Sequence, residues 1–228
     1  LKNKGSAVRF CLWPQMKKFI NTNIIRKKIF ETEKNFSSQE YWEKRYRNLG
    51  NSGSGSYGEL AEFKNTILND FVKKNNIKSV IDLGFGDGNL LKNSNYKLYY
   101  GFEVSEFAIE KNKNYFKNDL YKKFFHIKEL KEKKADLSMS IDVLYHLVED
   151  KVFEKHLEDL FRSATRFVII YSSNFDSIYE EGSHVFHRKF TNLLEKKFNN
   201  FKLYKIIENP YRDLSSANFY LYRNTKTP

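Results

Sequence analysis

One cysteine in 228 residues, Cys11, leaves no disulfide framework and no cysteine-built zinc site, and it matches a reducing cytosol. No apolar run approaches the roughly 20 residues that a membrane span needs. No secretory signal is expected, because the first 30 residues carry charges throughout instead of one apolar block. Those residues contain no Asp or Glu, only Lys2, Lys4, Arg9, Lys17, Lys18, Arg26, Lys27 and Lys28. Of the formal net charge of +12 this segment carries +8, which leaves +4 for the other 198 residues. A basic stripe across the folded part, the footprint of a nucleic-acid binder, is therefore absent, and no nucleic-acid partner is expected.

What the chain does have is Val80-Ile81-Asp82-Leu83-Gly84-Phe85-Gly86-Asp87-Gly88-Asn89-Leu90. A short β-branched strand ends in an acid and then enters a loop of alternating glycines. Such a loop lets a ligand approach the backbone closely, because no Cβ stands in the way. The spacing is Gly-x-Gly-x-Gly, whereas dinucleotide binders use Gly-x-Gly-x-x-Gly over a pyrophosphate. An acid just before the loop repels phosphate and suits a cationic amino group, so the loop fits a zwitterionic amino-acid nucleoside better. The next apolar run, Lys97 to Ser105, places Glu103 21 positions after Asp82. At the tip of a second parallel strand, such an acid can accept hydrogen bonds from both ribose hydroxyls.

At these residues the sequence resembles the class I S-adenosylmethionine-dependent methyltransferases. Asp82, Gly84, Gly86 and Gly88 match their first motif and Glu103 the acid of their second, and the resemblance covers residues 37–222. It implies S-adenosyl-L-methionine as cofactor and S-adenosyl-L-homocysteine as product. Asp82 would hold the amino group, the glycines would admit the cofactor backbone, and Glu103 would hold the ribose. Val104 and Lys128-Glu129-Leu130 would border the adenine. Asp142, followed by Val143, falls at the fourth motif, near the methionine part. Phe85 stands where a small residue or cysteine is more usual, and it should narrow the loop.

The chain divides into a basic extension (1–36), a methyltransferase domain (37–222) and a frayed tail (223–228). Residues 15–31 suit an amphipathic helix with Met16, Phe19, Ile20 and Ile24 on one face, able to lie on an anionic membrane, on a second subunit or on its own domain. Ser37-Ser38-Gln39-Glu40 opens a helix through Tyr41, Trp42, Arg45 and Tyr46. The Ser/Gly run 51–58 is either a plain linker or a lid that closes over the cofactor, with Tyr57 near its end expected to touch it. A helix follows from Glu59 to Lys74. Strands are expected at 79–83, 98–103, 123–127, 135–141, 166–171, 201–208 and 217–222, with helices at 88–93, 105–117, 149–162 and 188–199. The fold class is α/β and Rossmann-like: a mostly parallel seven-stranded sheet with helices on both faces, extra N-terminal helices and a C-terminal antiparallel hairpin.

Methyl transfer from a sulfonium is an in-line displacement, so the protein aligns the acceptor and, for a hydroxyl, removes a proton. Asp142-Val143-Leu144-Tyr145-His146-Leu147 ends the fourth strand, where His146 is a base candidate and Tyr145 its neighbour. After the fifth strand, His184, His187 and Arg188 form a candidate acceptor clamp, the arginine offering a fork for carboxylate or phosphate. The alternative is a polar loop that caps the following helix. A divalent metal would need Asp142 with Asn174 or Asp176, and no metal is expected. The nucleophilic cysteine of cytosine-C5 enzymes and the Asn/Asp-Pro-Pro-aromatic turn of exocyclic-amine DNA enzymes are both missing after strand four. The expected acceptor is thus a small, polar, anionic molecule, methylated on oxygen. Together with Tyr41 to Tyr46, the Ser/Gly run and His184 to Lys189, the pattern resembles a bacterial subgroup tied to capsular and surface polysaccharide biosynthesis. That implies a sugar, sugar-nucleotide or phosphoramidate-type precursor, in the cytoplasm or at the membrane periphery. A nicotinamide-dependent oxidoreductase and a non-catalytic cofactor-binding scaffold remain as alternatives.

Overall fold

The computed structural model describes residues 36–48 and 50–226. The expected helix over 15–31, Cys11 and all but the last residue of the 1–36 extension lie outside them. Among the described residues no helix is long and apolar enough to cross a membrane.

Seven strands form one sheet: β1 (Val80–Leu83), β2 (Tyr99–Glu103), β3 (Lys122–His126), β4 (Ala135–Ile141), β5 (Ala164–Ser172), β6 (Phe201–Ile207) and β7 (Asn218–Asn224). Their spatial order is β3-β2-β1-β4-β5-β7-β6. The first five run parallel, and β7 pairs antiparallel with both β5 and β6. The seven-stranded, mostly parallel sheet and the closing hairpin are those expected from the sequence. β7 continues two residues further than the expected strand, with Arg223 opposite Phe167 and Asn224 opposite Phe201, so the domain's sheet includes the start of the presumed frayed tail.

Side-chain alternation along the buried strands builds two cores. Leu137, Met139, Ile169 and Tyr171 face helices α2 (Gly58–Lys74) and α3 (Glu106–Tyr115) on one side of the sheet. Ile81, Leu83, Val168 and Ile170 face α4 (Asp150–Arg162) on the other, where Leu157 and Leu160 are fully buried.

Helix α1 (Ser38–Arg47) starts where Ser37 takes the Glu40 N–H, at 3.2 Å, and ends in Lys44, Arg45 and Arg47, which suits the helix dipole. It spans the carboxyl edge of the sheet. Near one end Ser38 donates from its backbone N–H and its hydroxyl to Glu149; further on, Glu43 accepts the Ser105 hydroxyl at 2.6 Å. Two expected helices are shorter than their sequence patterns. Residues 88–93 give only a 3₁₀ turn over Leu90–Asn93, because the glycine loop runs to Gly88 and the Ser94 hydroxyl donates to the Leu91 carbonyl. The helix expected over 188–199 is α5 (Thr191–Lys197), because Asp176 binds the Lys189 N–H and the Arg188 side chain is tied to the 147–150 segment.

Truncating Leu157 to alanine removes a wedge between α4 and the sheet. Leu157→Ala should lower unfolding free energy by roughly 2–5 kcal/mol in a urea titration; a loss under about 0.5 kcal/mol would refute this account of the core.

Candidate active site

The strand order reverses between β1 and β4, and in such sheets ligands bind beyond the carboxyl ends at that point. A cavity of about 460 Å³ lies there. Its floor includes Asp82, Gly84, Phe85, Gly86 and Asp87 from the turn after β1, Glu103 and Val104 from β2, and Asp142 and Val143 from β4. Trp42 and Tyr46 of α1 and Ser52 and Ser56 of the Ser/Gly run also line it.

Two glycines are dictated by close approach. Gly84 has φ +92°, and a Cβ there would sit 2.5 Å from Val143 Cγ2. Gly86 has φ +62°, and its Cβ would sit 2.4 Å from Ser52 Oγ. Behind the loop, the buried Asn112 of α3 donates to the Gly86 carbonyl at 3.3 Å.

Asp82 is the electrostatic centre. One carboxylate oxygen accepts the Tyr99 hydroxyl at 2.8 Å, while the other, Oδ1, is buried without a hydrogen-bond partner among the described residues. Burial, with the Glu103 charge adding to it, pushes its pKa up to about 7. A cation brought to Oδ1 would relieve this. Glu103 is held by backbone N–H groups of Gly86 (3.0 Å), Val104 (2.7 Å) and Ser105 (3.3 Å), and burial raises its pKa as well.

The Ser/Gly run is a bonded strap. The Ser52 N–H donates to Asp87 at 2.9 Å, and the Asp87 N–H donates back to the Ser52 hydroxyl at 2.9 Å. Tyr57 adds its hydroxyl to Asp87 at 2.7 Å, and Asn89 donates to the Ser56 carbonyl at 2.7 Å. Although burial works the other way, hydrogen bonds from Ser52, Tyr57 and Asn89 hold the Asp87 pKa below its ordinary value.

After β4 the backbone turns sharply at Asp142, whose φ is +60°. Its carboxylate accepts the Tyr145 hydroxyl at 2.7 Å and pairs with Lys64 of α2. His146 lines the cavity, with Nδ1 3.0 Å from the His184 carbonyl. A carbonyl only accepts, so Nδ1 carries the proton and Nε2 of the neutral ring is the free base. Burial lowers the His146 pKa to about 4, so the ring stays neutral. His184 stacks on His146 (centroids 5.3 Å apart) and on Tyr41 (4.6 Å), and Trp42 meets His146 edge-on at 4.8 Å.

Other candidates lie elsewhere. The Arg188 guanidinium donates to the Leu147 and Val148 carbonyls and to Asp150, and covers the Phe186 ring at 4.0 Å, so the expected acceptor clamp lacks its arginine. His187 bonds the Ser173 hydroxyl at 2.6 Å, away from the cavity lining. Ile127 lines the cavity where Glu129 and Leu130 were expected; Glu129 caps a 3₁₀ turn through the His126 N–H, and Leu130 is buried in the core. Gly88 and Tyr145 stand behind the lining. Asn174 and Asp176, weighed as metal partners of Asp142, bond Thr191 and the Lys189 N–H. Sequence reasoning missed Lys64, although its position was a signal: it falls four residues from both Leu60 and Leu68 within an apolar stripe.

No protein-family model matches the chain, and no curated protein does. Solved structures do. The chain is similar to magnesium protoporphyrin IX methyltransferase (ChlM) from Synechocystis PCC 6803 with bound SAH: 16% identity, TM-score 0.61, covering 82% of this chain and 97% of that one. It is similar to N-methyltransferase NodS from Bradyrhizobium japonicum WM9 in complex with S-adenosyl-L-homocysteine, at 11% identity and TM-score 0.64, covering 83% and 99%. A third likeness is to an S-adenosylmethionine-dependent methyltransferase from Clostridium acetobutylicum ATCC 824, at 12% identity and TM-score 0.53, covering 75% and 93%. These likenesses establish the Rossmann-like methyltransferase fold.

The raised Asp82 pKa has a measurable sign. Between its ordinary 3.8 and about 7, the folded protein keeps a proton that the unfolded chain releases, so this contribution to stability is lost as pH rises. The thermal midpoint of the ligand-free protein should therefore fall more steeply from about pH 5 to about pH 7.5 than that of Asp82→Asn. Parallel curves would mean that the carboxylate is not isolated.

Proposed function

We propose that this chain is an S-adenosylmethionine-dependent methyltransferase acting on a small polar acceptor, with S-adenosylhomocysteine as product. The observation that carries the reading is Asp82 Oδ1, the one fully buried side-chain polar atom of the cavity lining that lacks a hydrogen-bond partner among the described residues. An α-ammonium suits that oxygen, and a diphosphate does not. Glu103, at the tip of β2, would accept from the ribose, and Val104 with Ile127 would flank the base. The bound cofactor would supply an electrophilic methyl group on a sulfonium. The residues of the chain position that group, keep water out beneath Trp42 and the strap, and move one proton.

His146 is the residue suited to the proton. Its carbonyl-fixed tautomer leaves Nε2 unprotonated and able to accept from an acceptor O–H, although burial makes the ring a weaker base than free imidazole; this geometry supports O-methylation. A sugar or sugar-nucleotide hydroxyl, as the resemblance to polysaccharide-associated enzymes implies, has the right chemistry. The anionic character first expected has lost its main support, because Arg188 is engaged by backbone carbonyls and Asp150.

Isothermal calorimetry tests the reading directly. S-adenosylhomocysteine should bind and NAD should give no heat, while Asp82→Ala and Glu103→Ala should each weaken binding roughly 10- to 100-fold. His146→Gln should leave that affinity alone and lower methyl transfer to a hydroxyl acceptor roughly 100-fold. A chain that binds NAD and not the adenosyl ligand is no methyltransferase.

A further inference from the structure

Lys64 is the one lysine or arginine buried outright among the described residues, and the proposed chemistry does not use it. Its ammonium bonds the Asp142 carboxylate and the Gly55 carbonyl (2.5 Å), and lies 5.0 Å from the centre of the Tyr171 ring. The other Asp142 oxygen accepts the Tyr145 hydroxyl. Asp142 lines the cavity, and Val143 beside it packs against Gly84. A ligand with its ammonium at Asp82 and its ribose at Glu103 must carry its sulfur along this wall. The wall thus presents a carboxylate whose charge is matched by an ammonium behind it.

Fastening the strap does not require a lysine here. A buried ion pair is often replaceable by apolar side chains without loss of stability, so its stability alone does not explain it. What the pair changes is the field in the cavity. An unmatched carboxylate would attract a sulfonium and be indifferent to a thioether. With an opposite charge a few ångströms further out, most of that discrimination cancels.

We propose that Lys64 sets the relative affinity for the sulfonium and thioether forms of the cofactor by neutralising Asp142 from outside the cavity. The inference rests on the methyltransferase reading above and makes Lys64 a specificity determinant with no contact to the reacting atoms. It predicts that the wild-type chain distinguishes substrate from product less than an isolated carboxylate would.

The test is calorimetry on the full chain, titrating S-adenosylmethionine and S-adenosylhomocysteine separately. Lys64→Met should shift the affinity ratio about tenfold toward the sulfonium, and Asp142→Asn should shift it by a similar factor the other way. The double variant Lys64→Met/Asp142→Asn, neutral again, should return within about twofold of wild type. Should Lys64→Met fail to fold, Asp142→Asn and the double variant carry the same contrast. Single variants that weaken both ligands equally, with the ratio unmoved, overturn the inference and leave Lys64 as a strap fastener. A wild-type chain that binds neither ligand overturns the methyltransferase reading, and this inference with it.

Discussion

A carboxylate buried without a cation is unfavourable, and at Asp82 the surroundings sharpen the penalty instead of relieving it. Tyr99 satisfies one oxygen, the other has no partner, and Glu103 adds a second negative charge nearby. Structural acids in this protein are treated differently. Asp87 has three donors, Glu149 has the Ser38 pair, and Asp142 has an ammonium. Among the described residues lining the cavity, Asp82, near the end of β1, is the acid left with a buried unpartnered oxygen, an arrangement that suits a ligand bringing the missing positive charge. The other features of the cavity follow from keeping that oxygen both reachable and dry.

Reach comes from the glycine loop, and dryness from a roof made of two separate pieces. Helix α1 is pinned near one end through Ser38 to Glu149 and further along through Glu43 to Ser105. The strap is pinned through Ser52 and Tyr57 to Asp87 and through Gly55 to Lys64. These ties are part-buried hydrogen bonds with a carboxylate or an ammonium on one side, each contributing roughly 1.5–3 kcal/mol net. The sheet beneath is held by Leu157, Ile169 and Phe219 and their neighbours, with essentially no exposure. The floor is thus held by apolar packing and the roof by polar ties, two different kinds of fastening over one cavity.

The strands were legible because parallel strands buried on both faces read as apolar runs, as β1, β2 and β5 largely do; β4 instead alternates apolar residues with Asp136, Ser138 and Ser140. The glycine spacing and the acid before it were legible for the same reason: few residue types can stand there. Long-range pairing was harder to see. Nothing local to Arg188 reveals that the Leu147 and Val148 carbonyls stand ready to receive it, so a fork suited to anions is easily misread as facing one. The Ser/Gly run looks like a linker by composition, yet its small residues are what let it lie against Gly86 and Asp142. Lys64 was the readable miss, since a lysine in the middle of an apolar helical stripe requires a buried partner.

Arg188 also links the two histidine segments. By bonding the Leu147 and Val148 carbonyls and Asp150, it fixes the segment after strap-side Asp142 against the 184–190 loop. The Phe186 N–H donating to the Tyr145 carbonyl at 2.8 Å adds a second tie. Between these two ties lies the contact that fixes the His146 tautomer, its Nδ1 on the His184 carbonyl. A shift of this loop by one hydrogen-bond length would free Nδ1 and let the tautomer exchange, placing a proton on Nε2. The arginine that sequence reasoning assigned to gripping an acceptor thus acts one step removed, holding the carbonyl that keeps His146 Nε2 unprotonated.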